Sequence, residues 1–258
     1  MEILGIDIGG SGIKGAPVET ETGLLLAERL RIDTPQPATP TAVTETVARI
    51  ADEFRWSGCI GCGFPAVVKN GIVMTAANID PGWIGKNAGS LIAHATEAPR
   101  VVVGNDADVA GLAEMRFGAG KGNRGLVLMV TLGTGIGSGL YYNGVLIPNT
   151  EFGHIEIKGK VAEQYAAESV REREDLSWKE WADRLNRYLE KMVRLTWPDL
   201  IILGGGVSKK SEKFLPHLSV KAPVVIAHLK NDAGIIGAAL FAGESSVSGS
   251  DSSATTTD

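Results

Sequence analysis

The chain opens on a short apolar run, Ile3, Leu4, Ile6 and Ile8, that stops at Gly9-Gly10. Strand patterning continues over Ile13 to Val18 and Leu24 to Ile32. Thr39-Pro40 reads as an N-cap followed by proline at the first helical position, with Val43, Val47, Ile50 and Phe54 at helical spacing behind it. Cys59 to Phe64 is a further strand, and Val67 to Ala77 a hairpin turning at Asn70-Gly71. Lys86 to Thr96 reads as a helix, Val101 to Val103 as a buried strand and Asp106 to Phe117 as a helix.

A similar order then recurs. Leu126 to Leu132, Ser138 to Tyr142 and Val145 to Ile147 are strands, and a long helical region follows. Within it Ser177 and Glu180 fit a capping box, ahead of one face formed by Trp181, Leu185, Leu189, Met192 and Thr196. On helical spacing Trp178, Trp181 and Trp197 are expected in the core. Leu200 to Leu203 and Val224 to Ala227 are strands, and Ala233 to Ala242 the last helix. Two three-stranded openings, each followed by αβα material, predict duplicated α/β lobes over residues 1–118 and 119–243. The last helix is the element that could return to the first lobe. A cleft between two such lobes is a natural ligand site. Residues 244–258, rich in Ser and Thr, are expected to be a disordered tail.

Composition adds one anomaly. Glycine reaches 33 of 258 residues, and its excess needs a backbone explanation. The net charge of −5 gives no support for a nucleic-acid or anionic-membrane partner. Three of the acids, however, fall in the tail, leaving 25 basic against 27 acidic residues in the body, which can still hold a polyanion locally. No apolar run reaches the ~18 residues of a membrane span, and MEILGIDIGG lacks a basic signal region. With two cysteines, Cys59 and Cys62, in a strand pattern, a cytoplasmic protein is expected, with neither a disulfide scaffold nor a redox or zinc pair.

Three glycine clusters follow apolar strands: Gly9, Gly10 and Gly12 with Ser11, Lys14 and Gly15; Gly133-Thr134-Gly135 onward to Gly139; and Gly204-Gly205-Gly206. Tight turns explain any one of them. Three at equivalent places favour phosphate binding by exposed backbone N–H groups. Gly10 to Gly15 matches G-x-G-x-x-G, but Pro17 blocks the helix that a dinucleotide fold requires, so a strand-turn-strand hairpin is predicted. Asp7, in an apolar strand beside that turn, is suited to hold Mg²⁺ through water. Asp106 is either a helix N-terminal acid or a base for a substrate hydroxyl. His154 and Glu156 could ligate a metal, but further ligands are missing nearby, so zinc is not expected, and hydrogen bonding to a polyhydroxylated ligand suits Glu151 and His154 better.

Asp7 to Gly15, Gly104-Asn-Asp-Ala-Asp108, Leu132 to Gly137 and Glu151-Phe-Gly-His154 occur in order, and together they resemble the ROK family of sugar kinases. The resemblance covers residues 1–243. It implies an α/β, two-lobed actin/hexokinase-like (ribonuclease H-like) fold with a duplicated βββαβα core and an interlobe cleft. Typical members carry a cysteine-rich zinc loop after the Glu-x-Gly-His motif. Here Ile155 to Glu163 contains no cysteine, so no structural zinc is expected. With Thr34 to Pro40, Ile147 to His154 and Trp197-Pro-Asp-Leu, this is similar to the branch that phosphorylates the 6-hydroxyl of glucose with inorganic polyphosphate, some members also using ATP. A strictly ATP-dependent hexokinase is the alternative.

The resemblance implies Asp106 as catalytic base, and Asn105, Glu151, His154, Glu163 and Asn78 as sugar ligands. It implies Asp7 to Lys14 and Gly133 to Gly135 as phosphate loops, and Gly204 to Gly206 as the loop that meets adenosine in relatives. Mg²⁺ is the expected cofactor and a homodimer the expected assembly. For polyphosphate a basic track would help, with Lys14, Lys121, Arg124, Lys209 and Lys210 as candidates or, equally, as solvated surface. The family's DNA-binding repressors carry an additional segment ahead of the first strand. That strand starts here at Glu2, so nucleic acid is not an expected partner, nor is a membrane.

Overall fold

In the computed structural model, which describes residues 1–247, the chain divides into two units. The first comprises Met1–Ala110 with the segment from Gly234 onward; the second is Gly111–Ala233.

The first unit holds β1 (Glu2–Ile8), β2 (Gly12–Glu19), β3 (Leu24–Leu25), β4 (Leu30–Asp33), α1 (Pro40–Glu53), β5 (Ile60–Phe64), β6 (Val68–Lys69), β7 (Ile72–Val73), α2 (Ala88–Thr96), β8 (Val101–Asn105) and the start of α3 (Asp106–Phe117). Its sheet runs β3-β2-β1-β5-β8, with β4 also on β2. β1 and β2 form the antiparallel hairpin expected from Pro17, with Ile8 opposite Ile13. β1, β5 and β8 are parallel, so their carboxyl ends share one edge. α1 starts where Thr39 accepts a hydrogen bond from Ala42 N, and it buries Val43, Val47 and Ile50 in one cluster with Leu4, Ile6 and Phe64. Each such side chain, fully buried, contributes about 1.5–3 kcal/mol.

The second unit holds β9 (Leu126–Leu132), β10 (Ile136–Tyr142), β11 (Val145–Ile147), β12 (Glu156–Ile157), β13 (Lys160–Val161), α4 (Ala162–Ala166), α5 (Glu168–Arg173), α6 (Trp178–Thr196), β14 (Leu200–Gly204) and β15 (Val224–Ile226). Its sheet order, β11-β10-β9-β14-β15, repeats that of the first unit, with β9, β14 and β15 parallel. α6 begins at the Ser177–Glu180 capping box and buries Trp181, Leu185, Leu189 and Met192. Leu185→Ala would cost about 2–5 kcal/mol.

Four sequence expectations change. Leu24 to Ile32 is not one strand: β3 and β4 both pair with β2, and the ladder breaks near Pro17, which has no N–H to donate. The long helical region is split into α4, α5 and α6. Trp197 is 79% exposed, because α6 ends at Thr196 and Trp197 turns left-handed (φ 50°) before Pro198. α7 (Ala233–Val247) extends past Ala242, so the first residues of the expected tail are helical. Residues 248–258 of that tail lie outside the described residues. No helix among the described residues is long and apolar enough to cross a membrane.

Candidate functional site

Parallel strands deliver their following loops to one edge, where ligands of α/β sheets bind. In the first unit Gly63 pairs with both Asp7 and Gly104, and Phe64 with Asn105. The Gly9–Gly12 turn, Pro65 and Asp106 therefore follow strands ending side by side. Gly9, Gly10, Pro65 and Asn78 line one cavity of about 300 Å³, together with Thr34, Gln36 and Asp80.

The turn after β1 is held from β4. Thr34 Oγ1 donates to Gly9 O (2.5 Å), and Arg31 Nη2 donates to Ser11 O (2.8 Å). Register places Asp7 opposite Lys14, and Lys14 opposite Arg31, in one row across three strands. Lys14 Nζ donates to Asp7 Oδ2 at 3.0 Å. The Asp7 carboxylate also abuts the first turn of α7. A Cβ on Gly234 would lie 2.7 Å from Asp7 Cγ, so only glycine leaves room there. Lys14 and the positive end of a helix compensate the half-buried charge. Arg31 carries no motif, and the motif that begins at Thr34 does not show that its hydroxyl holds the Gly9 turn.

Asn105 is buried and caps α3: its Oδ1 accepts from Ala107 N (2.9 Å) and Asp108 N (3.1 Å), while Nδ2 donates to Ala66 O (3.2 Å). This fixes where α3 starts, and so the place of Asp106, its first residue. Asp106 Oδ1 accepts from Ala107 N at 2.8 Å. That position suits both expected roles, helix acid and base. Asn78 is exposed at the cavity rim.

In the second unit, Glu151, His154 and Glu163 come together. His154 Nδ1 lies 3.1 Å from Glu151 Oε2, and His154 Nε2 lies 4.0 Å from Glu163 Oε1. The imidazole is 44% exposed and Glu163 only 17%. A 3-10 turn over Phe152–His154 presents the first pair, and Glu163 sits in the first turn of α4. The β12–β13 hairpin makes the short connection between them. Ser138 on β10 holds the motif: its hydroxyl donates to Thr150 O and accepts from Phe152 N (2.9 Å). Gly153 packs so close that a Cβ would lie 2.0 Å from Ile136 O.

Gly133–Gly135 joins β9 to β10, and Gly204 pairs with Thr131, so the second and third glycine clusters share the carboxyl edge of this sheet. Ser169 on α5 anchors the Gly133 turn through Gly133 O (3.1 Å) and Thr134 O (2.6 Å). Lys209 and Lys210 are exposed on the 3-10 segment Gly206–Lys213 that follows. Lys121 and Arg124 are not brought there. They precede β9, and a seven-residue strand, spanning roughly 20 Å, separates them from the turn after it.

Cys62 is buried, which pushes its thiol well above the usual range, against a redox role. Among the described residues no group of three or more His, Cys, Asp or Glu is arranged to hold a metal ion. Asp7 alone still fits a hydrated Mg²⁺, which typically takes one or two carboxylates and completes its shell with water and phosphate.

The sequence pattern of the ROK family matches residues 3–167. The polyphosphate glucokinase of Mycobacterium tuberculosis is 52% identical over 236 residues, covering 92% of this chain and 89% of that protein. Among solved structures, the inorganic polyphosphate/ATP-glucomannokinase of Arthrobacter sp. strain KM superposes with a TM-score of 0.92 at 45% identity, over 95% of this chain and 99% of the other. A ROK family glucokinase from Streptomyces griseus, in complex with glucose and AMPPNP, gives 0.82 at 26% identity, over 95% and 100%. The repeated sheet is that of the actin/hexokinase-like sugar kinases.

Proposed function

Because the chain belongs to the ROK family, we propose that it is a glucokinase that transfers the terminal phosphoryl group of inorganic polyphosphate, and also of ATP, to the 6-hydroxyl of glucose. The observation that carries the sugar side is the imidazole of His154 set between the carboxylates of Glu151 and Glu163. Such a group offers both donors and acceptors to vicinal hydroxyls. The donor side is supported by the names of relatives at 52% and 45% identity.

Glucose is held through its hydroxyls by Glu151, His154 and Glu163, with Asn105 and Asn78. Asp106 accepts the 6-hydroxyl proton as that oxygen attacks the terminal phosphorus. The bond to the bridging oxygen breaks, and the shortened polyphosphate, or ADP, leaves with the electron pair. Transfer of this kind is mostly positioning and charge stabilisation. The amides of the Gly9–Gly12, Gly133–Gly135 and Gly204–Gly206 turns and Lys14 supply the latter. Mg²⁺, when bound, would neutralise donor charge, with Asp7 holding it through water. Family resemblance further leads us to propose a cytoplasmic homodimer.

The reading is tested by incubating purified protein with glucose, Mg²⁺ and long-chain polyphosphate and following the product by ³¹P NMR. Glucose 6-phosphate is expected. Release of orthophosphate without a sugar phosphate would overturn it.

A further inference from the structure

Trp178 opens α6 and packs, partly buried, at the edge of the core that encloses Trp181. Its ring meets Trp181 edge-on (5.9 Å) and lies nearly parallel to Phe214 (6.3 Å, 22°). Three cations gather over it. The Arg171 guanidinium carbon is 4.2 Å from the ring centroid, and the Lys210 and Lys213 amines are each 5.8 Å away. An indole face attracts cations, but three of them repel one another unless anions intervene. Glu168 is one, 3.7 Å from Arg171 and 3.8 Å from Lys210; Glu172, 3.4 Å from Arg171, is the other. The Arg171 Nε atom is buried without a hydrogen-bond partner.

The cluster is connected to both glycine turns of its unit. α5, which carries Arg171, is tied by Ser169 to Gly133 and Thr134. Lys210 and Lys213 lie on the segment that leaves Gly204–Gly206. An anion seated on those turns and longer than they can hold would meet cations carried by the segments anchored to them.

We propose that Arg171, Lys210 and Lys213, gathered on Trp178, form a subsite for the inner phosphates of the polyphosphate chain, beyond the group being transferred. This rests on polyphosphate being a donor, as argued above. Charge repeated along an unbranched chain is what several cations on one platform recognise. A purine would need the ring face that the guanidinium already covers. Arg171, half-buried on the indole, gives a fixed fork, while the exposed lysines follow a chain that shortens with each turnover.

The test is steady-state kinetics of the full chain with tripolyphosphate, long-chain polyphosphate and ATP as donors. The variants are Lys210→Ala, Lys213→Ala and the double change, exposed positions where folding is not at risk. In the wild type KM is expected to fall from tripolyphosphate to the long chain. The double variant raises the long-chain KM about tenfold, removes the length dependence and weakens its dependence on salt, while KM for tripolyphosphate and ATP moves less than twofold. An equal rise for all three donors would put the lysines at the transferred phosphate and overturn the subsite, as would no change for any. A wild type inactive with polyphosphate of any length would instead overturn the donor assignment itself, and is seen without any variant.

Discussion

His154 Nδ1 lies 3.1 Å from Glu151 Oε2, three residues apart on a 3-10 turn that Ser138 holds from the neighbouring strand. The carboxylate orients the ring and leaves Nε2 facing Glu163. Glu151→Gln keeps the shape and removes the charge. A lost hydrogen bond to a charged group is worth about 1.5–3 kcal/mol, so the Kd for glucose should rise roughly ten- to a hundredfold, measured by calorimetric titration. Unchanged affinity would remove Glu151 from the sugar site.

The support beneath that turn should matter as much as its tip. Gly153→Ala puts a methyl group 2.0 Å from the Ile136 carbonyl oxygen. Backbone cannot yield as a flexible side chain would, so a loss of about 1–3 kcal/mol in stability is expected by denaturant unfolding, together with weaker glucose binding. Ser138→Ala leaves Phe152 N and Thr150 O without their partner and should act in the same direction, at about 1–3 kcal/mol.

Lys14 pairs with Asp7 beside the first glycine turn. Lys14→Met removes a cation from the phosphate side and leaves the carboxylate to the helix terminus alone. The expected result is a fall in kcat/KM for the phosphoryl donor of roughly a hundredfold, with the Kd for glucose within about threefold. Steady-state kinetics with glucose saturating checks this.

Asp106 stands at the first position of α3, where Asn105 fixes the start of the helix. Asp106→Asn should retain glucose binding and lower kcat about 10²- to 10⁴-fold, the usual range for removing a general base. A variant with near-normal kcat would leave Asp106 as a helix N-terminal acid only.

Features governed by neighbouring residues were legible in the sequence. Pro17 ruled out a helix after the first glycine turn, Asn70-Gly71 turns its hairpin at positive φ, and the Ser177–Glu180 box starts α6. The grouping of Glu151, His154 and Glu163 followed from motif resemblance. Features set by contacts across the fold were not legible. Ser138, Gly153, Thr34 and Arg31 act through partners elsewhere in the fold, and the motifs that contain the first three do not show which partners those are. Lys121 and Arg124 read as possible donor contacts until the direction of β9 set them at the end of the strand away from the Gly133 turn. Trp178 and Trp197 share helical spacing with buried Trp181, yet one carries a cluster of cations and the other lies past the end of its helix.

The most direct measurement is kcat/KM for long-chain polyphosphate and for ATP, on one preparation, with glucose saturating and glucose 6-phosphate as the quantified product. Turnover with both donors is expected, with a higher kcat/KM for polyphosphate. Turnover with ATP alone would contradict this and leave an ATP-dependent sugar kinase.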